Sequence, residues 1–242
     1  MPRRRSGRSR PLLIAVALAA AAACLGVAIV AGQHADAELT RSPTAAQRSA
    51  AAATALATRW RDWPAGRIFP ARLGYSTSLL TQESASRTAI GSGVSCAAAL
   101  AGAAAGLASR DGCRAAVRAT YLDQLQGAVF TIGVLAFPSA ARAAAFVHAA
   151  GAGRLPAGLR ALGLPGTGSA RFSDPARQAS VSRARGPYAV LAVVGYADGR
   201  PAAATGQSRP SVFSPARQLV GAVAARLAQP VTVDCASPQW SC

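Results

Sequence analysis

Side chains that could carry acid–base chemistry are scarce in this 242-residue chain, which contains two histidines. His34 follows a long apolar run, and His148 lies in an alanine-rich stretch that predicts a helix. A Ser–His–acid triad would have to combine His148 with Asp123 or Asp198, and the sequence lacks the G-x-S-x-G turn that exposes a nucleophilic serine. We therefore assign no catalytic residue, and an envelope hydrolase that uses His148 is kept only as an alternative.

The sequence is also poor in groups that hold cofactors or metals. Glu83 is the one glutamate after residue 38, so paired carboxylates for glycoside hydrolysis are badly supplied. Residues 166–169 (GTGS) lack the lysine of a phosphate-binding loop, and residues 91–93 (GSG) lack the third glycine of a dinucleotide fingerprint. With one histidine in the outer part and no C-x-x-C motif, the sequence predicts neither a cofactor nor a metal.

The cysteines predict disulfide bonds. Cys24 lies in the apolar run, whereas Cys96, Cys113, Cys235 and Cys242 form an even set, which is typical of an oxidising compartment. We favour local pairing, Cys96 with Cys113 and Cys235 with Cys242. A continuous helix after Cys96 would hold the first two Cα atoms about 25 Å apart, and a disulfide needs roughly 4.4–6.8 Å. Local pairing therefore requires that helix to end early, and pairing of each with a C-terminal cysteine stays open.

The net charge of +17 does not indicate nucleic acid binding. All 26 cationic residues are arginine and the chain has no asparagine, which is typical of coding in a GC-rich genome. Five arginines precede residue 11, so 21 remain against nine acidic residues, which leaves the outer part near +12. Such a surface attracts anionic head groups or wall polymers, although a solvated basic surface without a dedicated partner explains it as well.

An uncharged apolar run at residues 11–32 organises the chain. About 20 apolar residues cross a ~30 Å hydrocarbon core as a helix, and the preceding arginines favour a cytoplasmic N-terminus. The sequence predicts a cytoplasmic flank (1–10), a transmembrane signal anchor (11–32), a helical stalk (33–63) and an extracytoplasmic domain (64–242). A cleaved secretory signal is the alternative, because residues 35–37 (ADA) fit a cleavage site. In that case the chain is cleaved after Ala37, and the protein that begins at Glu38 is secreted.

The outer part alternates between strand and helix patterns. A strand, a turn at 124–127 and a second strand occupy residues 114–137, and residues 187–196 form the most apolar strand. Helices are predicted after Ser95, after Pro138 and from Ser214. Residues 76–93 are expected to form strand edges or loop, and residues 154–186 a loop-rich section that could contain one short strand in 158–174. This order predicts the α+β class, an antiparallel sheet packed by helices on one face.

Tryptophan and arginine are concentrated where the stalk meets this domain, in RWRDWPAGR. The favoured interpretation is that the two tryptophans share one helix face and cap the core. The alternative is a surface-binding patch for a membrane or a sugar-containing polymer. Its members would be Arg59, Trp60, Arg61, Trp63 and Arg67.

Three segments, GCRAAVRATYLD, TIGVLAFPSAARA and PYAVLAVVGYADGRP, resemble those of uncharacterised single-pass membrane and secreted proteins of high-GC Gram-positive bacteria. A looser likeness is to the extracytoplasmic sensor domains of receptor kinases, and it concerns architecture alone. These likenesses imply no activity or site. The topology, the basic charge of the outer part and the missing catalytic groups predict a domain that binds, senses or scaffolds at the cell envelope. The expected partners are the cytoplasmic membrane and either envelope proteins or anionic wall polymers, and no nucleic acid.

Overall fold

The computed structural model describes residues 9–151, 158–204 and 210–235, together with residues 237 and 240. The chain divides into two compact units, residues 1–48 and residues 49–241. Across the described residues it has seven α-helices and one six-stranded antiparallel sheet. The predicted α+β class is confirmed.

The first unit is dominated by α1 (Ser9–Thr40). Within it, Ile14–Glu38 spans 25 residues with a mean hydropathy of 2.6, and none of these residues is buried. At a rise of ~1.5 Å per residue, this stretch is long enough to cross a bilayer. The predicted membrane-length helix is therefore present, and an apolar signal sequence near an N-terminus can meet the same criteria of length and hydropathy.

Ser42 followed by Pro43 is typical of an N-cap and a first helical position, but the next helix, α2 (Ala45–Asp62), starts two residues after Pro43. Its N-terminus is closed by a capping box, in which the Gln47 amide N–H donates to Thr44 Oγ1 and the Thr44 N–H donates to Gln47 Oε1. Thr44, not Ser42, therefore caps this helix. Pro64 follows its C-terminus, and a short helix α3 (Ala65–Ile68) comes next.

The sheet has the strand order β1-β2-β3-β4-β6-β5, and every neighbouring pair is antiparallel. Side chains of successive residues in a strand point to opposite faces of the sheet. In the central strands β4 and β6 nearly every residue is buried, so both faces of the sheet are apolar and both are covered. The strands are β1 (Arg72–Ser76), β2 (Gln82–Val94), β3 (Ala115–Leu122), β4 (Ala128–Ala136), β5 (Ala179–Arg185) and β6 (Tyr188–Tyr196).

Helices pack on both faces of the sheet, so the expectation of a single helical face is wrong. One face is covered by α3 and by α7 (Pro215–Leu227). Leu219, Val223 and Leu227 recur every four residues along one side of α7, and all three are fully buried. The other is covered by α4 (Cys96–Ala99), α5 (Ala103–Arg110), α6 (Ala140–Gly151) and the segment 158–177. The physical reason is that β4 and β6 present apolar side chains in both directions, and each set needs a cover.

The helix after Cys96 ends early, as local cysteine pairing requires. Ser95 Oγ accepts from the Ala98 N–H, α4 stops after one turn, and α5 restarts beyond Gly102, whose φ is +57°. The chain thereby doubles back, and Cys96 and Cys113 form a disulfide with their Cα atoms 6.3 Å apart. Cys235 is also disulfide-bonded. Cys242 lies outside the described residues, so its pairing stays a prediction.

The region expected to form strand edges or loop and the region expected to be loop-rich both contain strands. β1 and the long strand β2 include most of residues 76–93, and β5 lies within 154–186. Both regions are rich in serine and alternate small with polar residues, and the buried positions of β2 are alanines, Ala85 and Ala89. Small residues on the buried face weaken the hydrophobic alternation on which strand prediction depends.

Candidate functional site

The predicted arginine–tryptophan patch is divided between the core and the surface. Arg59 is 7% exposed, and its Nη1 donates to the carbonyl oxygens of Leu227 and Gln229 at 2.6 Å each. Burial lowers the pKa of Arg59 from its ordinary value. Arg59 therefore belongs to the packing of α2 against the C-terminus of α7, not to a surface patch.

Trp63 is held between two guanidinium groups. The Cζ atoms of Arg59 and Arg67 lie 4.7 and 3.9 Å from its ring centroid, which is cation–π geometry. Trp60 and Trp63 are partly buried against the hydrophobic cluster under α7, as expected of residues that cap a core. Of the predicted patch, Arg61 and Arg67 remain exposed, and Arg61 Nε lies 3.3 Å from Asp62 Oδ1.

The acid–base residues are not assembled into a catalytic site. His148 is exposed on α6, whereas Asp123 Oδ1 accepts from the Ala128 N–H to close a turn. Asp198 accepts from Arg200 Nε at 2.7 Å, and this hydrogen bond lowers the pKa of the Asp198 carboxyl. Neither carboxylate is placed as the partner of His148. Within the residues described here, no group of three or more His, Cys, Asp or Glu side chains could hold a metal ion.

A different surface stands out at one end of the sheet, which we call the hairpin end. It comprises the β1–β2 turn (77–81), the β3–β4 turn (123–127) and residues 197–200, which follow β6. The register places them together, because Leu122 pairs with Val129 and with Ser86, and Ala128 pairs with Tyr196. β2 runs four residues from Ser86 outward to Gln82, so the β1–β2 turn projects about 14 Å beyond the level of Leu122 at ~3.4 Å per residue.

The β1–β2 turn presents two leucines to solvent. Leu79 and Leu80 are 84% and 85% exposed, and Leu80 has a φ of +62°, a left-handed conformation uncommon for a residue with a Cβ. The Leu80 N–H donates to the Thr77 carbonyl, and the Thr77 N–H donates to the Thr81 carbonyl at 2.9 Å. The two threonine hydroxyls lie 2.6 Å apart and close the turn below the leucines.

The β3–β4 turn repeats this design. The Gln126 N–H donates to the Asp123 carbonyl, and Gln126 has a φ of +58°. Leu125 is 81% exposed and occupies the third position of its turn, the position that Leu79 holds in the other. Two turns of the same type thus display a leucine at the same position and place a non-glycine residue in the left-handed region after it.

Exposed apolar residues are concentrated at this end. In the described part of residues 49–241, six large apolar side chains are exposed, and three of them, those of Ile90, Leu164 and Val212, are only 39–41% exposed. Leu164 is in a loop whose Gly168 lies against Leu122, and Val212 is next to Phe213, whose ring is 5.2 Å from that of Tyr196. The other exposed side chains are those of Leu79, Leu80 and Leu125.

The hairpin end is fixed to the core by hydrogen bonds. The Gln218 side chain accepts from the Ser76 N–H and donates to the Ser76 carbonyl, at 2.9 and 2.7 Å, which ties β1 to α7. Beneath the loop that carries Leu164, the Leu162 N–H donates to the buried Thr131 hydroxyl at 3.0 Å. The exposed leucines therefore stand on ordered backbone.

Charge at the hairpin end is balanced. The carboxylates of Glu83, Asp123 and Asp198 flank it, and so do three exposed arginines: Arg171, which contacts Gly199, Arg200, which pairs with Asp198, and Arg217, which adjoins Gln218. Glu83 accepts from the Tyr75 hydroxyl at 2.7 Å, and burial together with this carboxylate raises the pKa of Tyr75. This contrasts with the strong positive charge of the chain as a whole.

The hairpin end does not follow from the sequence pattern alone. Its one local sign is a pair of adjacent leucines in the serine- and threonine-rich segment STSLLTQ, where a turn is normally polar. The register that brings the second turn beside the first is visible only in the structure.

In comparisons with known proteins, the chain matches no protein-family model, no curated protein and no solved structure.

Proposed function

We propose that the protein is a membrane-anchored extracytoplasmic domain that binds a partner at the cell envelope. The observation that carries this proposal is an apolar helix of membrane length with no buried residue, followed along the chain by a compact domain with a disulfide. An apolar helix that is exposed on every side needs lipid around it. The Cys96–Cys113 disulfide supports an oxidising compartment outside the membrane.

The support for binding is the hairpin end. Fully exposed leucines on ordered turns add little to folding, and concentrated exposed apolar residues mark interaction sites. The alternative of a secreted protein has the same domain and differs in whether α1 is removed. Residues 35–37, the cleavage motif, lie inside α1, and a helical segment must unwind before a peptidase can bind it in extended form.

An anionic wall polymer is a second candidate partner. The observation that favours it is that Arg61 and Arg67 are exposed beside Trp63 in a chain with a large excess of arginine. Retention of the chain on wall preparations should then fall as salt is raised, and Arg67→Gln should weaken it. Retention that ignores salt would exclude this candidate.

Fractionation of the producing cell, followed by intact mass of the mature protein, tests the anchor. We expect the full-length mass in the membrane fraction, and we expect a protease added outside intact cells to digest the domain. A chain that begins at Glu38 in the medium would replace the anchor by a secreted protein. A domain that is digested only after the cells are opened would overturn the extracytoplasmic placement.

A further inference from the structure

We propose that the hairpin end docks a second protein, whose concave apolar surface receives Leu79 and Leu80 from one turn and Leu125 from the other. The inference rests on the proposed function, because it names the kind of partner and the surface that binds it. The partner is a protein other than a second copy of this chain. The partner presents a groove rather than a small pocket. The two turns are offset along the strand direction by more than the length of one side chain, so a single pocket cannot receive both.

The geometry of the turns is the first argument. A left-handed conformation at a non-glycine residue is unfavourable, and Leu80 and Gln126 both adopt it. The leucines gain no compensating burial within the domain, since each is more than four-fifths exposed. Glycine at position 80 would make the turn with less strain. Folding therefore does not account for the leucines, whereas burial in a partner does.

Charge distinguishes a protein from a lipid surface. Segments that lie in the membrane interface combine apolar side chains with lysine, arginine and tryptophan. The turns 77–81 and 123–127 contain none of these, and the carboxylates and arginines that flank them balance in charge. An anionic bilayer gains no net attraction from such a balanced surface, while a polar rim around exposed leucines matches a protein interface.

A second copy of the chain does not supply the complementary surface. In the described part of residues 49–241, the large apolar side chains outside the two turns that are exposed, those of Ile90, Leu164 and Val212, keep only 39–41% of their surface free, too little to form a groove. A copy could therefore offer only its own hairpin end. The projecting β1–β2 turns are convex, and convex tips bury little area against each other.

The test uses the full-length chain in the membranes of the producing cell. A photoreactive benzophenone side chain replaces Leu79 in one preparation, Leu125 in a second and Arg61 in a third. The Leu79 probe is combined with Leu125→Ser, and the Leu125 probe with Leu80→Gly. Ser78→Ala and Gln124→Ala, which change exposed polar residues of the same two turns, are the matched controls. The thermal midpoint of each variant is measured alongside.

We expect both hairpin probes to give one protein adduct of the same discrete mass. Loss of a leucine from the opposite turn should reduce its yield at least about tenfold, the effect of losing one buried leucine. The Tm should stay unchanged with Leu125→Ser and stay equal or rise with Leu80→Gly. The polar controls should change the yield by less than about twofold, as contacts at the edge of an interface do.

Other results overturn the docking proposal in distinguishable ways. Adducts with lipid would assign the hairpin end to a membrane, and adducts of twice the chain mass would assign it to self-association. A protein adduct whose yield is unchanged by Leu125→Ser and by Leu80→Gly would also overturn the docking proposal. An adduct from the Arg61 probe alone would keep the proposed function and reject this surface, and no adduct at any of the three positions would reject both.

Discussion

Arg59 donates to the carbonyl oxygen of Leu227 at 2.6 Å, across 168 positions of sequence. Leu227 is the last residue of α7, and the final carbonyls of a helix have no partner within it. The guanidinium satisfies this carbonyl and that of Gln229, and it stacks on Trp63. One buried cation thus joins α2 to the end of the helix that covers the sheet.

Replacement of this cation should destabilise the domain. Arg59→Met keeps the apolar stem but leaves two carbonyl oxygens without their donor, and we expect a loss of about 2–3 kcal/mol in the free energy of unfolding. Arg61→Met, two residues away and exposed, should change it by less than about 0.5 kcal/mol. Chemical unfolding of the full chain in detergent micelles, followed by tryptophan fluorescence, measures both. Equal effects of the two variants would contradict the assigned role of Arg59.

Alkaline pH should unfold the domain through its tyrosines. The chain has no lysine, so between the pKa values of tyrosine and arginine no ammonium side chain titrates. Burial raises the pKa of Tyr188 from 10.0 to about 12, and its hydroxyl donates to the Leu56 carbonyl at 2.6 Å. The unfolded chain therefore releases this proton first, and stability falls as the pH rises from 10 towards 12.

The free energy of unfolding measured across this range checks the prediction. For Tyr188 alone the loss amounts to about 2 kcal/mol, and burial raises the pKa of Tyr121 in the same direction. At pH 10, Tyr188→Phe should have a lower free energy of unfolding than the parent, because the Leu56 carbonyl loses its donor. As the pH rises further, its free energy of unfolding should fall less steeply than that of the parent. A variant whose slope equals that of the parent would show that Tyr188 does not contribute.

Removal of the Cys96–Cys113 bond should cost about 3 kcal/mol, the value expected for closure of a loop of this size. The double variant Cys96→Ser with Cys113→Ser tests it by thermal unfolding without reductant. Cys24→Ser is the control, because Cys24 is a free cysteine on α1. Reductant should lower the midpoint of the parent as well, and two thiols detected at positions 96 and 113 in denatured, unreduced protein would contradict the bond.

The sequence was sufficient where side chains are large and the pattern strong. In β4 the alternate residues Phe130, Ile132 and Val134 fall on one face, and they lie in one cluster under α7. Likewise α7 follows from its Ser–Pro start and its apolar spacing. β5 was missed because it is an edge strand of half-buried alanine, serine and arginine, whose pattern resembles that of a polar loop.

For the arginine–tryptophan cluster, the favoured interpretation that the tryptophans cap the core agrees with their partial burial, but the burial of Arg59 with them was not predicted. Spacing along a helix places Arg59 and Trp63 on one side and Arg61 on another. Which side is buried depends on α7, which lies more than 150 positions away in the chain. The hairpin end has the same character, since its two turns become neighbours only through the pairing of β2 with β3. Properties that arise from distant pairing are not contained in a local pattern.

The packing of segment 158–177 on β6 gives a final prediction. A Cβ at Gly195 would collide with the backbone carbonyl of Ala176 and approach Phe172 Cε2 to 2.7 Å. Because a backbone carbonyl cannot rotate away as a flexible side chain can, Gly195→Ala should displace this segment and destabilise the domain by about 2–3 kcal/mol. Gly93→Ala is the matched strand control, since its Cβ would meet Val117 Cγ1 at an ordinary 3.9 Å.

Thermal unfolding compares these glycine variants, and limited proteolysis locates the effect. Cleavage within 158–177 should accelerate in Gly195→Ala and stay at the parent rate in Gly93→Ala, since local opening exposes the displaced segment first. Equal stability of the two variants would mean that β6 and the 3₁₀ turn Asp174–Ala176 are not in the close contact described. Because Gly168 of the same segment lies against Leu122, at the base of the turn that carries Leu125, Gly195→Ala should also weaken partner capture at the hairpin end, whereas Gly93→Ala should leave capture unchanged.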